Sequence, residues 1–223
     1  MIRLDWKSFY EEEAKIKHSN TNIKDVYISS LTSKIKFKNL LDVGCGDGIL
    51  CKIYKNKGVN KVVGIDLSKN RIKTAILNCA ECEFAIGSIY NLPFKDNSFD
   101  LVAAVEVIEH LEKPEKALNE LKRVSKKYVI FQVPYNEIIS EEICPHCLKK
   151  FYPRGHLQSF NEKVIKTLCD KCGLNILDID RFFHTFDHPY IRWIPSLILK
   201  RLKKIVFNEF IKHGGYIGVL CEK

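Results

Sequence analysis

Asn39-Leu-Leu-Asp-Val-Gly-Cys-Gly-Asp-Gly48 joins an apolar run directly to a glycine-rich turn. Leu40, Leu41 and Val43 fit the end of a strand that is buried on both faces. The glycines let the backbone turn sharply and approach a ligand closely. Residues 49–57 follow as a predicted helix, whose free N–H groups and positive dipole end face that ligand. The stretch therefore predicts a strand, a binding loop and a helix in succession.

The number of residues between this loop and the next acidic side chain, Asp66, is typical of a nucleoside site. The next apolar run, Val62-Val-Gly-Ile65, ends in Asp66, roughly 20 residues after the first glycine. A carboxylate there can accept hydrogen bonds from both ribose hydroxyls of an adenosine. The loop alone also fits a purely structural turn, and Asp66 is what favours a ligand. The spacing Gly-x-Gly-x-Gly matches neither a triphosphate loop nor a dinucleotide fingerprint, so we predict a nucleoside site without a pyrophosphate.

Apolar runs and helical stretches alternate along the rest of the chain. Further strands are predicted at 61–66, 83–86, 100–105, 128–133, 175–180 and 215–221. Such alternation is typical of parallel strands joined by crossover helices. We therefore predict an α/β fold with a doubly wound, mostly parallel seven-stranded sheet, whose last strand is antiparallel.

Composition places the chain among single-domain globular proteins. It has 223 residues, of which 46% are hydrophobic, and a formal net charge of +9. That length suits one compact α/β domain. No secretory signal peptide or bilayer-spanning apolar run is evident, so we expect a cytoplasmic protein with mostly reduced cysteines. The positive charge is compatible with an anionic substrate and with a membrane surface.

Five successive motifs resemble those of the class I S-adenosylmethionine-dependent methyltransferases, in the branch that includes quinone-biosynthesis and other small-molecule enzymes. They occur in the family's order within residues 39–134, and they are Asp42-Val-Gly-Cys-Gly-Asp-Gly48, Val63-Gly-Ile-Asp-Leu-Ser68, Gly87-Ser-Ile-Tyr-Asn-Leu-Pro-Phe94, Asn97-Ser-Phe-Asp-Leu-Val102 and Glu106-Val-Ile-Glu-His-Leu111. Taken together, such motifs are highly specific. The resemblance implies a Rossmann-like methyltransferase fold and S-adenosylmethionine as the cofactor.

The resemblance also implies which residues bind the methionine part of the cofactor. The backbone of the glycine loop would hold it, and this loop contains Gly44, Cys45, Gly46 and Gly48. Asp42 would fix the loop or bind the cofactor's amino group. Glu106, after the strand at 100–105, would stand near the cofactor's sulfur.

Four residues are implied on the adenosine side. Asp66 would bind the ribose hydroxyls and Leu67 would pack on the adenine face. Ile89 would offer its backbone N–H and an apolar contact to the adenine. Ser88 stands where the family often has an aspartate that accepts a bond from the adenine amino group. A serine can accept that bond, but without a charge the interaction is weaker.

The division of the chain follows from these assignments. We expect an N-terminal helical cap at 1–36, a cofactor-binding core at 37–134 and a cysteine-containing insertion at 135–160. Residues 161–223 complete the same domain and include a basic amphipathic segment at 189–212. This segment fits a helix on an anionic membrane surface, but we favour a helix that covers a core or an active site with its basic face in solvent.

Methyl transfer from a sulfonium is an in-line displacement, so the protein mainly aligns nucleophile, methyl carbon and sulfur. A general base is needed only for a hydroxyl or protonated amine acceptor. Glu106 and His110 follow the strand at 100–105 and are candidates near the reaction, or they pair with each other across one helical turn. His156 matches a family histidine that faces the acceptor, or it makes a hydrogen bond at the start of the late helix.

Two cysteine pairs raise the question of zinc. Cys144-Pro-His-Cys147 has the spacing of a zinc knuckle, and Cys169-Asp-Lys-Cys172 follows. Four thiolates would close a tetrahedral structural site, with His146 and His156 as competing ligands. Alternatively, Cys172 is a small buried side chain of a helix at 161–172 that ends at Gly173.

Three functions are compatible with these features. The favoured one is a methyltransferase that acts on a small-molecule or lipid-like acceptor. The chain lacks the Asn/Asp-Pro-Pro-Tyr pattern at the relevant strand end and a Pro-Cys nucleophile, which disfavours those two routes of nucleobase methylation. The alternatives are an RNA-modifying methyltransferase that uses a zinc element and a basic surface, and a non-catalytic S-adenosylmethionine-binding protein.

Overall fold

The structure is a computed structural model, and it describes Ser8, Glu11 and residues 23–182 and 215–223. The predicted basic segment at 189–212 and most of the predicted cap at 1–36 lie outside the described residues. The loop, Asp66 and the two histidines all lie within the described residues.

Seven strands form the central sheet, in the order β3-β2-β1-β4-β5-β9-β8. They are β1 (Asn39–Val43), β2 (Lys61–Asp66), β3 (Glu83–Ile86), β4 (Phe99–Val105), β5 (Ser125–Pro134), β8 (Asn175–Phe182) and β9 (Tyr216–Glu222). The strands β1 to β5 pair in parallel, and β9 is antiparallel to both of its neighbours. The predicted fold is confirmed. Between β5 and β8 a small hairpin pairs β6 (Glu142–Ile143) with β7 (Lys150–Phe151).

Five helices are described in addition to two short 3-10 turns. They are α1 (Ile23–Leu31), α2 (Ile49–Asn56), α3 (Lys69–Asn78), α4 (Pro114–Val124) and α5 (Glu162–Cys172), with 3-10 turns at Thr32–Lys34 and Ile108–His110. Local sequence sets several of their ends. Pro114 occupies the first turn of α4, where its missing N–H costs nothing. The Asn161 side chain caps the start of α5, and Gly173 ends it in the left-handed conformation.

The helices cover both faces of the sheet. One core cluster joins the sheet to α1, α2 and α3, and the other joins it to α4 and α5. Neighbouring residues of a strand enter opposite clusters, because side chains alternate across a sheet. In β4, for example, Leu101 belongs to the first cluster and Val102 to the second. The inner strands are therefore buried on both faces, as their continuous apolar runs predict, whereas the edge strands β3 and β8 are more exposed.

The strand order reverses between β1 and β4. In open parallel sheets of this kind, ligands bind in the crevice beyond the carboxyl ends of the strands, where such a reversal occurs. The glycine loop follows β1, Asp66 ends β2, and Glu106 follows β4. The fold therefore gathers the predicted site residues at one edge of the sheet.

Candidate active site

The glycine loop is tied to the end of β2 by its own backbone. The N–H groups of Gly44 and Cys45 donate to the carbonyl of Ile65, at 2.7 and 3.0 Å, and the N–H of Gly48 donates to the carbonyl of Cys45. Gly44 and Gly48 have φ of +76° and +74°. That conformation costs little in glycine and strains other residues. Gly48 then leads into α2, whose first turn presents N–H groups towards the loop.

Asp66 fastens the same loop from the opposite side. Its Oδ2 accepts a hydrogen bond from the N–H of Gly46 at 2.9 Å, and its Oδ1 accepts one from the N–H of Ser68 at 2.9 Å. A carboxylate oxygen can accept more than one hydrogen bond, so both oxygens keep capacity for the two ribose hydroxyls. Burial raises the pKa of Asp66 above its usual 3.8, while the two N–H bonds oppose that rise. The geometry fits the ribose role that the sequence predicts.

Two further carboxylates brace the loop. Asp47 is buried and accepts a hydrogen bond from Arg71 of α3 at 2.9 Å. Asp42 is also buried and accepts a hydrogen bond from the thiol of Cys51 in α2, over 3.5 Å. This bond ties the end of β1 to α2, on either side of the loop, and both roles predicted for Asp42 stay predictions. The ion pair of Arg71 with Asp47 has no signal in the sequence, because the spacing between the two residues fits no motif.

The segment after β4 packs directly on the loop. A Cβ at Gly44 would collide with the Val107 side chain, so only glycine lets these two segments approach so closely. Glu106 has φ of +56°, an unusual value for a residue with a side chain. Its N–H donates to the carbonyl of Gln132 in β5, at 3.0 Å, which holds it in that conformation. Backbone strain of this kind is concentrated at functional sites.

On the adenosine side the predicted residues lie in distinct environments. Leu67 keeps 36% of its surface exposed although it is a large apolar residue, whereas Ile89 is buried. An exposed leucine directly after Asp66 fits a side chain that an adenine ring would cover. The Ser88 hydroxyl accepts a hydrogen bond from the N–H of Tyr90 at 3.3 Å. This bond uses part of the serine's accepting capacity, which supports a weaker contact with adenine than an aspartate would make.

The structure brings His110 and His156 together. Their ring centroids lie 4.8 Å apart in an edge-to-face arrangement. His110 Nδ1 lies 3.2 Å from the carbonyl oxygen of Gly155, which fits an N–H donated to that oxygen. His156 Nδ1 makes a short contact with Glu137 Oε2. We call Glu109, His110, Glu137 and His156 the histidine cluster.

Hydrogen bonds explain this convergence of distant segments. The N–H of Leu157 donates to the carbonyl of Glu109 at 2.8 Å, and the Gln158 side chain donates to the carbonyl of Leu111 at 2.7 Å. The loop before α5 is thereby bound to the 3-10 turn at Ile108–His110. These bonds form only in the folded chain, so sequence spacing does not reveal them.

The alternatives for these histidines can be compared with the structure. The 3-10 turn begins at Ile108, so Glu106 and His110 do not share a helical turn. At the start of α5, Asn161 accepts the capping bond from the N–H of Val164, at 3.0 Å. His156 therefore does not perform that structural role. Glu109 and Glu137 were missed by the sequence analysis, although Glu109 is part of the last motif.

The predicted zinc site of four cysteines needs correction. Cys169 and Cys172 are both buried on the core side of α5, where Cys169 Sγ lies 3.9 Å from Cys221 Sγ. Burial also raises the pKa of Cys172 to about 11, which opposes the thiolate form that zinc binds. Among the described residues, these cysteines form no group of metal-binding geometry with Cys144 and Cys147. The interpretation of Cys172 as a buried core side chain is the better one.

The first cysteine pair keeps the geometry of a knuckle. N–H groups of Cys147 and His146 point at the Cys144 sulfur and lower the pKa of its thiol. The turn is closed by the N–H of Leu148, which donates to the carbonyl of Cys144 at 2.8 Å. It lies between β6 and β7 and is partly exposed. Within the part of the chain that the structure describes, Cys144 and Cys147 belong to no group of three or more possible metal ligands.

Two other findings bear on the sequence analysis. Cys79 and Cys82 form a disulfide, so this pair differs from the reduced state expected of most cysteines. Among the described residues, no helix combines the length and the apolar character that crossing a membrane requires.

Comparison with known proteins supports the assignment of the loop. Residues 41–131 match a family described as a methyltransferase domain. Norajmaline N-methyltransferase of Rauvolfia serpentina is 32% identical over 176 residues, which are 75% of this chain and 54% of that protein. The mitochondrial ubiquinone biosynthesis O-methyltransferase of Dictyostelium discoideum is 34% identical over 103 residues, which are 40% of this chain and 32% of that protein. The chain thus spans about half or less of these relatives' length.

A solved structure shares the fold. The S-adenosylmethionine-dependent methyltransferase of Mesorhizobium loti superposes with a TM-score of 0.63 at 13% identity, covering 89% of this chain and 96% of that one. At that identity the match concerns the fold alone. The family match over residues 41–131, the relatives and the confirmed seven-stranded sheet support a class I S-adenosylmethionine-dependent methyltransferase.

Proposed function

We propose that this protein transfers the methyl group of S-adenosylmethionine to a small-molecule or lipid-like acceptor. The relatives named above are a norajmaline N-methyltransferase and a ubiquinone biosynthesis O-methyltransferase, and their names support a small-molecule or lipid-like acceptor. The observation that carries the proposal is the histidine cluster, whose His110 follows β4 and stands three residues after Val107, the side chain nearest to Gly44 of the donor loop. It offers proton-accepting groups on the side where an acceptor would enter.

The donor half of the site would act through the residues already described. The glycine loop and the first turn of α2 would hold the methionine part, and Asp66 would accept the ribose hydroxyls. Leu67 and Ile89 would enclose the adenine, with Ser88 at its amino group. In this arrangement Asp42 braces the loop and Glu106 stands at the reacting end.

The acceptor half would supply proton transfer. Glu137 holds Nδ1 of His156, which fixes the ring's orientation and leaves Nε2 as its basic nitrogen. A base oriented by a carboxylate in this way is suited to remove a proton from an acceptor hydroxyl or ammonium group. The acceptor's lone pair then attacks the methyl carbon while the C–S bond breaks. Its electron pair stays on sulfur, so the products are the methylated acceptor and S-adenosylhomocysteine.

The surface of the insertion supports a lipid-like acceptor over a purely polar one. Three large apolar residues of the insertion are exposed to solvent: Ile138 to 73%, Ile143 to 62% and Leu148 to 77%. Apolar side chains grouped on an exposed insertion favour contact with an apolar molecule or with a membrane surface. Peripheral membrane contact would place such an acceptor next to the donor, and the sequence of 189–212 is compatible with it.

Zinc at the cysteine knuckle is a separate and smaller proposal. The lowered pKa of Cys144 and the N–H groups around its sulfur favour a metal-bound thiolate, with Cys147 as the second ligand. Metal analysis of the purified protein tests it. A Cys144→Ser/Cys147→Ser variant should lose about one equivalent of zinc, and equal zinc in both proteins would reject the knuckle as a site.

The proposed function is tested by transfer of a radiolabelled methyl group to cell extract separated into lipid, small-molecule and RNA fractions. We expect counts in the lipid or small-molecule fraction, and a loss of about 10²-fold or more in His156→Gln, since a general base contributes 10²–10⁴-fold. His146→Gln is the matched control, because His146 is exposed on the knuckle and away from the cluster. Counts in RNA alone would establish the RNA-modifying alternative. Cofactor binding without transfer to any fraction would establish a non-catalytic protein.

A further inference from the structure

Three side chains of the histidine cluster converge as metal ligands would. One ligand atom from each of Glu109, His110 and His156 lies within 4.8 Å of the other two. Ligands at about 2 Å from one ion are themselves some 3–4 Å apart, so small side-chain rotations would complete the geometry. Two imidazoles and one carboxylate form a donor set that catalytic zinc sites use, with a coordination position left for water or substrate.

A second observation points to the same ligand. In metal sites, each ligating histidine usually donates its other ring N–H to a carboxylate or a backbone carbonyl. Both histidines here have that outer partner, since His156 Nδ1 contacts Glu137 and His110 Nδ1 faces the Gly155 carbonyl. Nε2 is then the nitrogen that each ring would use to coordinate an ion. The outer contacts involve two different segments, so they are independent of the convergence on Glu109.

Burial strengthens the argument. Glu109 is only 1% exposed and His156 only 16% exposed at its side chain. Taking a carboxylate out of water costs several kcal/mol unless it is paired or hydrogen-bonded, and a cation beside it would offset part of that cost. A divalent ion would supply two positive charges at the point where the carboxylate and both rings meet. A protonated imidazole would supply one, and the experiment below separates these two cases.

We propose that Glu109, His110 and His156 bind one divalent transition-metal ion, with Zn²⁺ the best match to the donor set. Glu137 is a positioning residue that orients His156. Ion binding does not depend on the methyltransferase activity. The ion's role does rest on the proposed function. With Nε2 of His156 bound to the ion, that nitrogen would no longer act as the base, and the ion would instead activate the acceptor as a Lewis acid that orients its oxygen and lowers the pKa of that oxygen.

The test measures ion binding without any methyl acceptor. The full chain with Cys144→Ser/Cys147→Ser, which removes the knuckle thiolates, is stripped with a chelator and titrated with Co²⁺, whose visible spectrum reports nitrogen and oxygen ligands. We expect one equivalent to bind. Adding His110→Ala or His156→Ala should abolish this binding, and Glu137→Gln should weaken it by about 10- to 100-fold. His146→Ala is the control, and it should titrate like its parent.

Binding of S-adenosylmethionine, measured by calorimetry on each variant, shows that the fold is intact. If a histidine variant fails to fold, Glu137→Gln still decides the outcome, because it removes only an outer contact. The proposal is overturned if the parent binds less than about half an equivalent of Co²⁺ at millimolar concentration. It is equally overturned if the folded variants bind like the parent. Absent methyl transfer with intact Co²⁺ binding would count against the proposed function alone.

Discussion

Replacing Asp66 by asparagine should separate the donor site from the stability of the fold. Asp66 accepts two N–H bonds at 2.9 Å, one from Gly46 in the loop and one from Ser68. Asparagine keeps nearly the same shape and one oxygen. Its NH₂ group would face an N–H donor where the second carboxylate oxygen stood. The variant therefore loses the loop bond and the ribose bond at that position, together with the negative charge that strengthens the remaining bonds.

The size of the effect on S-adenosylmethionine binding follows from these bonds. A hydrogen bond to a charged group is worth about 1.5–3 kcal/mol, and a neutral acceptor gives about half of that. Losing one ribose bond and the charge on the other should cost about 3–4 kcal/mol, or about 10²–10³-fold in Kd. Losing the hydrogen bond from the N–H of Gly46 or Ser68 should also lower the free energy of unfolding by about 1–3 kcal/mol, because that N–H is left without an acceptor.

Calorimetric titration with S-adenosylmethionine and thermal unfolding measure the two effects. The matched control is Asp100→Asn, since Asp100 Oδ2 also accepts two backbone N–H bonds, from Lys38 and Asn39, at 2.9 and 3.1 Å. Asp100 lies near the amino end of β4, at the opposite edge of the sheet from Asp66. It should therefore alter stability and leave Kd unchanged. If Asp66→Asn bound the cofactor within about threefold of the parent, the ribose assignment would be refuted.

Three other outcomes are expected. Burial raises the pKa of Asp66, and only the ionised carboxylate accepts both ribose hydroxyls. The Kd of S-adenosylmethionine should therefore rise as pH falls, beginning above the usual aspartate pKa of 3.8. Binding titrations across the acidic range check this, and Asp66→Asn should lack the pH dependence. Gly44→Ala should lower the free energy of unfolding by about 1–3 kcal/mol and weaken cofactor binding, because the new Cβ would collide with Val107. Gly46→Ala is the control: no atom lies within 4 Å of its Cβ, so only the φ of +52° is unfavourable. Equal unfolding midpoints for the two variants would contradict the packing argument. Ser88→Asp should tighten cofactor binding about fivefold through a charge-assisted bond to the adenine amino group, and unchanged calorimetric affinity would argue against that contact.

Local chemistry explains why much of the fold was predictable. Continuous apolar runs mark strands that are buried on both faces, and the predicted bounds of β2 and β3 agree with the structure. Single residues placed helix ends, such as Pro114 in the first turn of α4 and Gly173 after α5. Asp66 was found because a βαβ unit sets the number of residues between the loop and the end of the next strand.

The cysteines show where spacing misleads. Cys169 and Cys172 have the separation of zinc ligands, but the buried residues of α5 are Ile165, Leu168, Cys169 and Cys172. Those positions follow the spacing of a helical stripe that faces a core. Helical periodicity therefore outweighs the zinc motif here, and it was already present in the sequence. The pairing of His156 with Glu137 has no such local signal, because tertiary hydrogen bonds align the two segments.

One short segment connects the two halves of the site. Val107 fills the space above Gly44 in the donor loop, and His110, three residues later, faces His156. Glu106 holds an unusual φ of +56°, which turns the chain at the end of β4 so that both contacts are made. Donor and acceptor would then be aligned by a rigid turn rather than by two independent loops. An in-line displacement demands that alignment, since small errors of position between nucleophile and methyl carbon are costly. The strain at Glu106 would then be the structural condition for the proposed methyl transfer.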